Sequence, residues 1–147
     1  MIDTFDLALP HGITLSVRAA GQPGRPVLLF LHGFPEAAFV WDEALAHFAA
    51  PEHGGWRCIA PNLRGYERSS APPNADAYRA RHLVQDIAAL IDAVTAAGPT
   101  PGRVAGLIAH DWGGAVAWNL AATQPERLER LVILNSPHPG TFWRDLR

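Results

Sequence analysis

The chain has 147 residues, of which 48% are hydrophobic, 18% charged and 9% aromatic. This composition is typical of one globular domain and excludes a disordered or fibrous protein. All twelve basic residues are arginine, and with fourteen acidic residues they give a formal net charge of −2 at pH 7. A nucleic-acid-binding protein would carry a basic surface instead, so we expect no nucleic-acid partner.

The cysteine content and the apolar runs give an expectation about location. Cys58 is the single cysteine, so a disulfide within the chain is excluded. The first six residues contain two aspartates where a signal peptide needs positive charge. The longest apolar run, residues 27–31, is far shorter than the roughly 20 residues of a membrane span. We therefore expect a soluble, cytoplasmic protein without a membrane partner.

The first half of the chain shows hydrophobic periodicities typical of strands and one helix. Residues 5–9 and 13–19 alternate in polarity around a Pro-His-Gly turn, which indicates a β-hairpin. The fully apolar residues 27–31 indicate a strand buried on both faces. The pattern then predicts a helix over residues 41–50 and a strand over residues 56–60.

The second half continues this alternation. A Pro-rich loop over residues 61–76 precedes the clearest helix, whose apolar residues form one stripe: Leu83, Val84, Ile87, Leu90, Ile91 and Val94. Next come a buried strand over 104–109, a small-residue helix over 113–123 and a buried strand over 131–134. This order predicts a single α/β domain with a mostly parallel sheet and helices on both faces.

Asp111 lies where the strand over residues 104–109 meets the following helix. Its neighbours Ala109, Gly113 and Gly114 are small enough for strand and helix to approach closely. A side chain at the apex of such a strained turn has the position of a nucleophile elbow. The helix N-terminus favours negative charge, so the carboxylate should stay ionised. The alternative role for Asp111 is that of a helix cap.

A second turn, HGFPE at residues 32–36, follows the buried strand over residues 27–31. Beside a nucleophile elbow, such a turn supplies one backbone N–H of an oxyanion hole, here that of Phe34. The residue after the nucleophile, Trp112, supplies the other. We also expect Phe34, Pro35 and Trp112 to line an apolar substrate pocket, with the Phe34–Pro35 bond cis. The alternative is an ordinary Gly-Pro turn.

Four motifs carry a resemblance to a known family: HGFPE at 32–36, NLRGY at 62–66, HDWGG at 110–114 and LNSPHP at 134–139. In this order they resemble the soluble epoxide hydrolase branch of the α/β-hydrolase superfamily, across nearly the whole chain. Ala109 stands where that family prefers glycine. The family is about twice as long. The resemblance therefore implies the N-terminal part of an α/β-hydrolase domain, truncated before a helical cap and the last strands.

The resemblance implies that a small apolar epoxide is opened to a diol. Asp111 would attack an epoxide carbon to give a covalent ester, and a water activated by a His would hydrolyse that ester. The N–H groups of Phe34 and Trp112 would hold the oxyanion. The base His, its orienting acid and the cap tyrosines that protonate the departing oxygen are expected outside this chain. The chain alone is therefore expected to be inactive and poorly soluble.

Three alternatives stay open at this point. A haloalkane or haloacid dehalogenase would use the same Asp111 to displace halide. A nucleotide-binding module could also contain a strand, turn and helix, but the glycine motifs for phosphate are absent and Asp111 would repel phosphate. The third alternative is a catalytically inactive hydrolase fragment.

The remaining candidate residues are interpreted as structural. No cofactor is expected, and no metal, because no His, Cys, Asp or Glu cluster has the spacing of metal ligands. His32, His110, His138 and Tyr66 are assigned to local structure. His11, His47, His53 and His82 receive no role, and Trp41, Trp118 and Trp143 are interpreted as core or helix-face aromatics.

Overall fold

The computed structural model describes residues 1–146, which form six β-strands and four α-helices. The strands are β1 (Asp3–Ala8), β2 (Thr14–Ala20), β3 (Val27–Leu31), β4 (Arg57–Pro61), β5 (Gly106–His110) and β6 (Leu131–Leu134). The helices are α1 (Asp42–Ala49), α2 (Ala80–Thr95), α3 (Trp112–Thr123) and α4 (Pro139–Asp145). Short 3-10 turns at Ala38–Trp41 and Ala75–Tyr78 precede α1 and α2.

The strands form one sheet in the order β1-β2-β4-β3-β5-β6. The hairpin of β1 and β2 is antiparallel and joins β4 antiparallel, whereas β4, β3, β5 and β6 are parallel neighbours. In the register of β3 and β5, Leu31 lies opposite Ala109. The carboxyl ends of these two central strands therefore lie side by side, which brings the HGFPE and HDWGG turns together.

Alternate residues of the central strands bury their side chains on opposite faces of the sheet. Leu29 and Leu31 pack in one cluster with α2 and α3, where Ile87 and Leu120 are fully buried. Phe30 packs in the other cluster, which holds buried residues of α1 and β4. The prediction of an α/β fold with helices on both faces is confirmed.

The last strand differs from its prediction as a buried strand. β6 pairs with β5, and no other described strand pairs with it. Leu131 and Ile133 pack against the cluster that contains α3, but Val132 and Leu134 are 46% and 44% exposed. The structure agrees with the alternative expectation that this apolar strand forms a sheet edge, because the outer face at these two residues carries no covering helix within residues 1–146.

Three further differences from the sequence-based expectations concern the start of β5, the start of α3 and an additional helix. β5 begins at Gly106, and the earlier Val104 makes an isolated parallel bridge to Leu128. α3 begins at Trp112, immediately after Asp111. The third difference is α4, which the sequence pattern did not predict and which carries the 64% exposed Trp143. Within residues 1–146, every helix is too short or too polar to cross a membrane.

Candidate active site

Asp111 is held in a backbone conformation that side chains other than glycine rarely adopt. Its φ and ψ are 53° and −118°. Such a conformation costs on the order of 1–3 kcal/mol, which the surrounding structure must offset. Main-chain hydrogen bonds hold the residue on both sides, because its N–H donates to Leu134 O at 3.1 Å and its carbonyl accepts from Gly114 N at 2.9 Å.

The close approach of α3 to β3 explains the glycine two residues after Asp111. A Cβ on Gly113 would lie 2.5 Å from His32 O and 2.7 Å from Leu31 O, both of which are main-chain atoms. A Cβ on Gly33 would lie 2.6 Å from the Asp111 Cβ. The small residues of both motifs are therefore required by the contact between the two turns.

The main chain of both turns stabilises the Asp111 carboxylate. The Phe34 N–H donates to Asp111 Oδ2 at 3.0 Å. This bond, followed by the influence of the neighbouring Trp112 N–H, lowers the pKa of Asp111, and nearby His110 lowers it further against the opposing effect of burial. The side chain makes no capping hydrogen bond to α3, so the interpretation of Asp111 as a simple helix cap is wrong.

The turn after β3 places Phe34 and Pro35 in different positions relative to the clefts beside Asp111. The Phe34–Pro35 bond is cis, as expected, and the Glu36 N–H donates back to Gly33 O at 3.0 Å. Pro35 is exposed and lies outside the lining of both clefts beside Asp111. Phe34 lines one of these clefts, and the role of Pro35 in the pocket stays a prediction.

Two open clefts meet at Asp111. One, of about 750 Å³, extends towards the exposed Phe34 and towards Tyr66. The other, of about 600 Å³, extends along α3 to α4, where Phe142 and Trp143 line it. Four residues line both clefts: Tyr78, Leu83, Asp111 and Trp112. Both clefts are mainly apolar apart from the carboxylate, so the site suits an apolar electrophile.

The two motif histidines have different surroundings. His32 is fully buried, with Nδ1 2.9 Å from Gly33 O and Nε2 accepting from the Leu63 N–H at 3.0 Å. Its burial lowers its pKa, so the ring is neutral. His110 is partly exposed, with Nδ1 3.2 Å from Glu36 Oε1. His32 is therefore a structural residue, as interpreted from the sequence.

A buried charge cluster lies behind the clefts and was missed in the sequence. Arg64 donates to both Asp86 oxygens, at 2.8 and 2.7 Å, and also to Ala77 O at 2.7 Å. His11 Nε2 lies 2.7 Å from Asp86 Oδ1. The charged Asp86 inside the apolar stripe of α2 is the signal that could have found it, because a buried carboxylate needs a partner.

No group of three or more His, Cys, Asp or Glu in residues 1–146 is arranged to hold a metal ion.

Comparisons with known proteins agree with this geometry. Residues 26–147 match the family model of the alpha/beta hydrolase fold. The chain is 45% identical over 129 residues to the AB hydrolase superfamily protein YfhM of Bacillus subtilis, covering 88% of this chain and 42% of that protein. It is 37% identical over 136 residues to an epoxide hydrolase of Caballeronia sordidicola, covering 92% and 38%.

A solved structure described as a novel epoxide hydrolase from metagenomes of hot environments superposes with a TM-score of 0.85 at 41% identity. That superposition covers 99% of this chain and 46% of the other. The chain thus spans less than half the length of the relatives that it matches.

Proposed function

Because this chain belongs to the α/β-hydrolase fold family, we propose that it supplies the nucleophile and the oxyanion hole of an enzyme that opens epoxides to diols. One observation carries the proposal. Asp111 lies at a strained turn between β5 and α3, and one of its oxygens accepts the Phe34 N–H. The similarity to epoxide hydrolases over most of the chain supports the choice of substrate class.

The first step uses the oxygen of Asp111 that does not accept from Phe34. Since Oδ2 accepts the Phe34 N–H, Oδ1 is assigned as the nucleophile. It attacks one epoxide carbon, the carbon–oxygen bond of the ring breaks, and the ring oxygen leaves with the electron pair and takes up a proton. The product is an ester between Asp111 and the hydroxyalkyl group. A lowered pKa keeps the carboxylate ionised and ready for this attack.

The second step hydrolyses the ester at the Asp111 carbonyl. Water attacks Cγ, a base takes the water proton, and the negative charge develops on Oδ2. The Phe34 N–H already donates to Oδ2, and the neighbouring Trp112 N–H also favours negative charge on the carboxylate, so both groups are available to stabilise this oxyanion. Collapse of the intermediate breaks the bond to the alkyl oxygen, releases the diol and restores Asp111.

The described residues define the nucleophile better than the acid and the base. His32 is excluded as the base because both of its ring nitrogens interact with the main chain. The Tyr78 hydroxyl donates to Pro72 O at 2.8 Å, so that proton is already engaged. We infer that the base His and the acid are supplied by other segments of the whole enzyme, as the family resemblance implies.

Oxygen-18 labelling tests the proposal on the natural full-length protein. In a single turnover in labelled water, the diol should carry no label, because one of its oxygens comes from the epoxide and the other from Asp111. Label in the first diol would mean that water attacks directly and would contradict covalent catalysis.

Two controls make the result specific. The Asp111→Asn variant should form no diol. An apolar haloalkane tested in parallel should release no halide, and halide release without diol formation would favour a dehalogenase that uses the same carboxylate.

A further inference from the structure

Tyr78 occupies the boundary between the two clefts. It lies at the end of the 3-10 turn that precedes α2 and lines both clefts, together with Asp111, Trp112 and Leu83. The loop around Tyr78 gave no catalytic signal in the sequence. The ring is nevertheless one of the few side chains that reach both compartments beside the nucleophile.

Three contacts fix the Tyr78 ring in this position. Its hydroxyl donates to Pro72 O at 2.8 Å. Its Cε1 atom lies only 2.8 Å from where a Cβ on Gly65 would be, so the ring packs directly over that glycine. The Arg64 guanidinium donates to Ala77 O at 2.7 Å and thereby fixes the backbone next to the ring.

The anchor of this turn is rigid because it is buried and charged. Arg64 is 5% exposed, and it is held by both oxygens of Asp86, which is 2% exposed. A bidentate arginine–carboxylate pair fixes orientation as well as distance. The Tyr78 ring is therefore a fixed partition and is not a mobile side chain that adapts to each ligand.

We propose that Tyr78 is a specificity-determining residue that separates the two substituents of the substrate and thereby selects which carbon Asp111 attacks. This proposal rests on the proposed epoxide opening. With the carboxylate at the junction, an epoxide carrying an apolar group on each carbon places one group in each cleft. The partition then allows one of the two orientations, because clefts with different walls accept different groups.

The hydroxyl of Tyr78 takes no part in this role, since it is already bonded to Pro72. Selection is therefore a steric property of the ring. Removal of the hydroxyl alone should matter little, whereas removal of the ring should join the two clefts. A single contact in an apolar pocket changes discrimination by about 10- to 200-fold.

The test compares Tyr78→Phe, Tyr78→Ala and Phe39→Ala in the natural full-length protein. Phe39 is also aromatic, is 57% exposed and lines neither cleft, so it is the matched control. The substrate is an internal epoxide with a phenyl group on one carbon and a methyl group on the other. After many turnovers in oxygen-18 water the Asp111 carboxylate carries the label and transfers it to the attacked carbon, so mass spectrometry gives the ratio of attack at the two carbons.

We expect Tyr78→Ala to move this ratio at least about fivefold towards equal attack, and Tyr78→Phe and Phe39→Ala to leave it within about twofold. Melting curves identify any variant that does not fold, in which case Tyr78→Leu replaces Tyr78→Ala. An unchanged ratio in a folded variant without the ring would overturn the proposal.

A second readout does not depend on turnover. Trp112 lines both clefts, so its fluorescence reports binding of 1-phenyl-1,2-propanediol and of the smaller phenyl-1,2-ethanediol. Tyr78→Ala should reduce the difference between the two dissociation constants. If the wild type forms no diol from any epoxide, the proposed reaction fails. The dissociation constants of the two diols still test the role of Tyr78. That role is overturned if Tyr78→Ala leaves the difference between the two constants unchanged, or if neither diol binds.

Discussion

The two sides of the cleft differ in how their walls are held. On the side of β3 and β5, Leu31 and His32 are fully buried, and main-chain hydrogen bonds fix both turns around Asp111. On the side of β6 and α4, Leu134 and Trp143 are 44% and 64% exposed. The orientation of the Asp111 carboxylate therefore depends on backbone packing, whereas the apolar wall opposite depends on side chains with few neighbours. Changes on the two sides should therefore alter different quantities.

The largest difference is expected in turnover. Asp111→Asn keeps the size of the side chain and a residue type that tolerates positive φ, but it removes the nucleophile. We expect diol formation by the full-length protein to fall by about four orders of magnitude or more. Trp143→Ala, on the opposite side, should raise KM by less than about tenfold and leave kcat near its original value. A loss of kcat for Trp143→Ala as large as that for Asp111→Asn would remove the distinction between the sides.

The next effect concerns the free energy of unfolding. Asp86→Ala leaves Arg64 buried without its carboxylate and should lower the stability by about 3–5 kcal/mol. Asp92→Ala is the matched control on the same helix, because Asp92 is 58% exposed where it pairs with Arg127. That change should cost less than about 1 kcal/mol. Urea unfolding monitored by circular dichroism gives both values, and equal losses would contradict the assignment of Arg64 and Asp86 as the buried anchor.

A pair of adjacent glycines compares the two sides directly. A Cβ on Gly113 meets main-chain oxygens of the central strand β3, which have no room to move. A Cβ on Gly114 meets the Cβ and Oγ of the half-buried Ser136, which lies between the exposed Asn135 and Pro137 in the loop after β6. We expect Gly113→Ala to lower the unfolding free energy by about 3 kcal/mol and Gly114→Ala by about 1 kcal/mol. The reverse order would mean that the loop after β6 is the more rigid element.

The smallest effect is a pH dependence of stability that originates at His32. Its pKa lies below the ordinary value of 6.5 because burial disfavours the imidazolium. As the pH falls below 6.5, the unfolded chain binds a proton at this residue before the folded chain does, so stability decreases. Above 6.5 the contribution of His32 is complete. Thermal melts between pH 5 and 8 should show this decrease, and His32→Asn, although less stable, should lack that part of the slope.

Much of the fold follows from local patterns. The apolar run of β3 and the stripe on α2 identified these elements, because burial selects the same residue types wherever the sheet and helix pack. Asp111 and Phe34 were placed from the small residues around them, and the structure brings the two within 3.0 Å. Close contact between two turns requires glycine at the contact points, and these glycines are recognisable in the sequence.

The rest depended on contacts between distant residues. The exposure of Val132 follows from what packs on its face of the sheet, which the composition of β6 does not record. Tyr78 lies in a polar loop, and its position beside Asp111 results from Arg64, Asp86 and Gly65 acting together.

The contact between the partly exposed His11 and the buried Asp86 also has a consequence for the order in which the molecule assembles. It joins residues 75 positions apart, and Asp86 in turn holds the arginine behind Tyr78. Helix α2 forms from local contacts, but this junction requires the hairpin turn to have returned to the sheet, and contacts of long sequence separation are slow to form. We therefore expect the turn at residue 11 and the Tyr78 region to form one cooperative unit that closes late during folding.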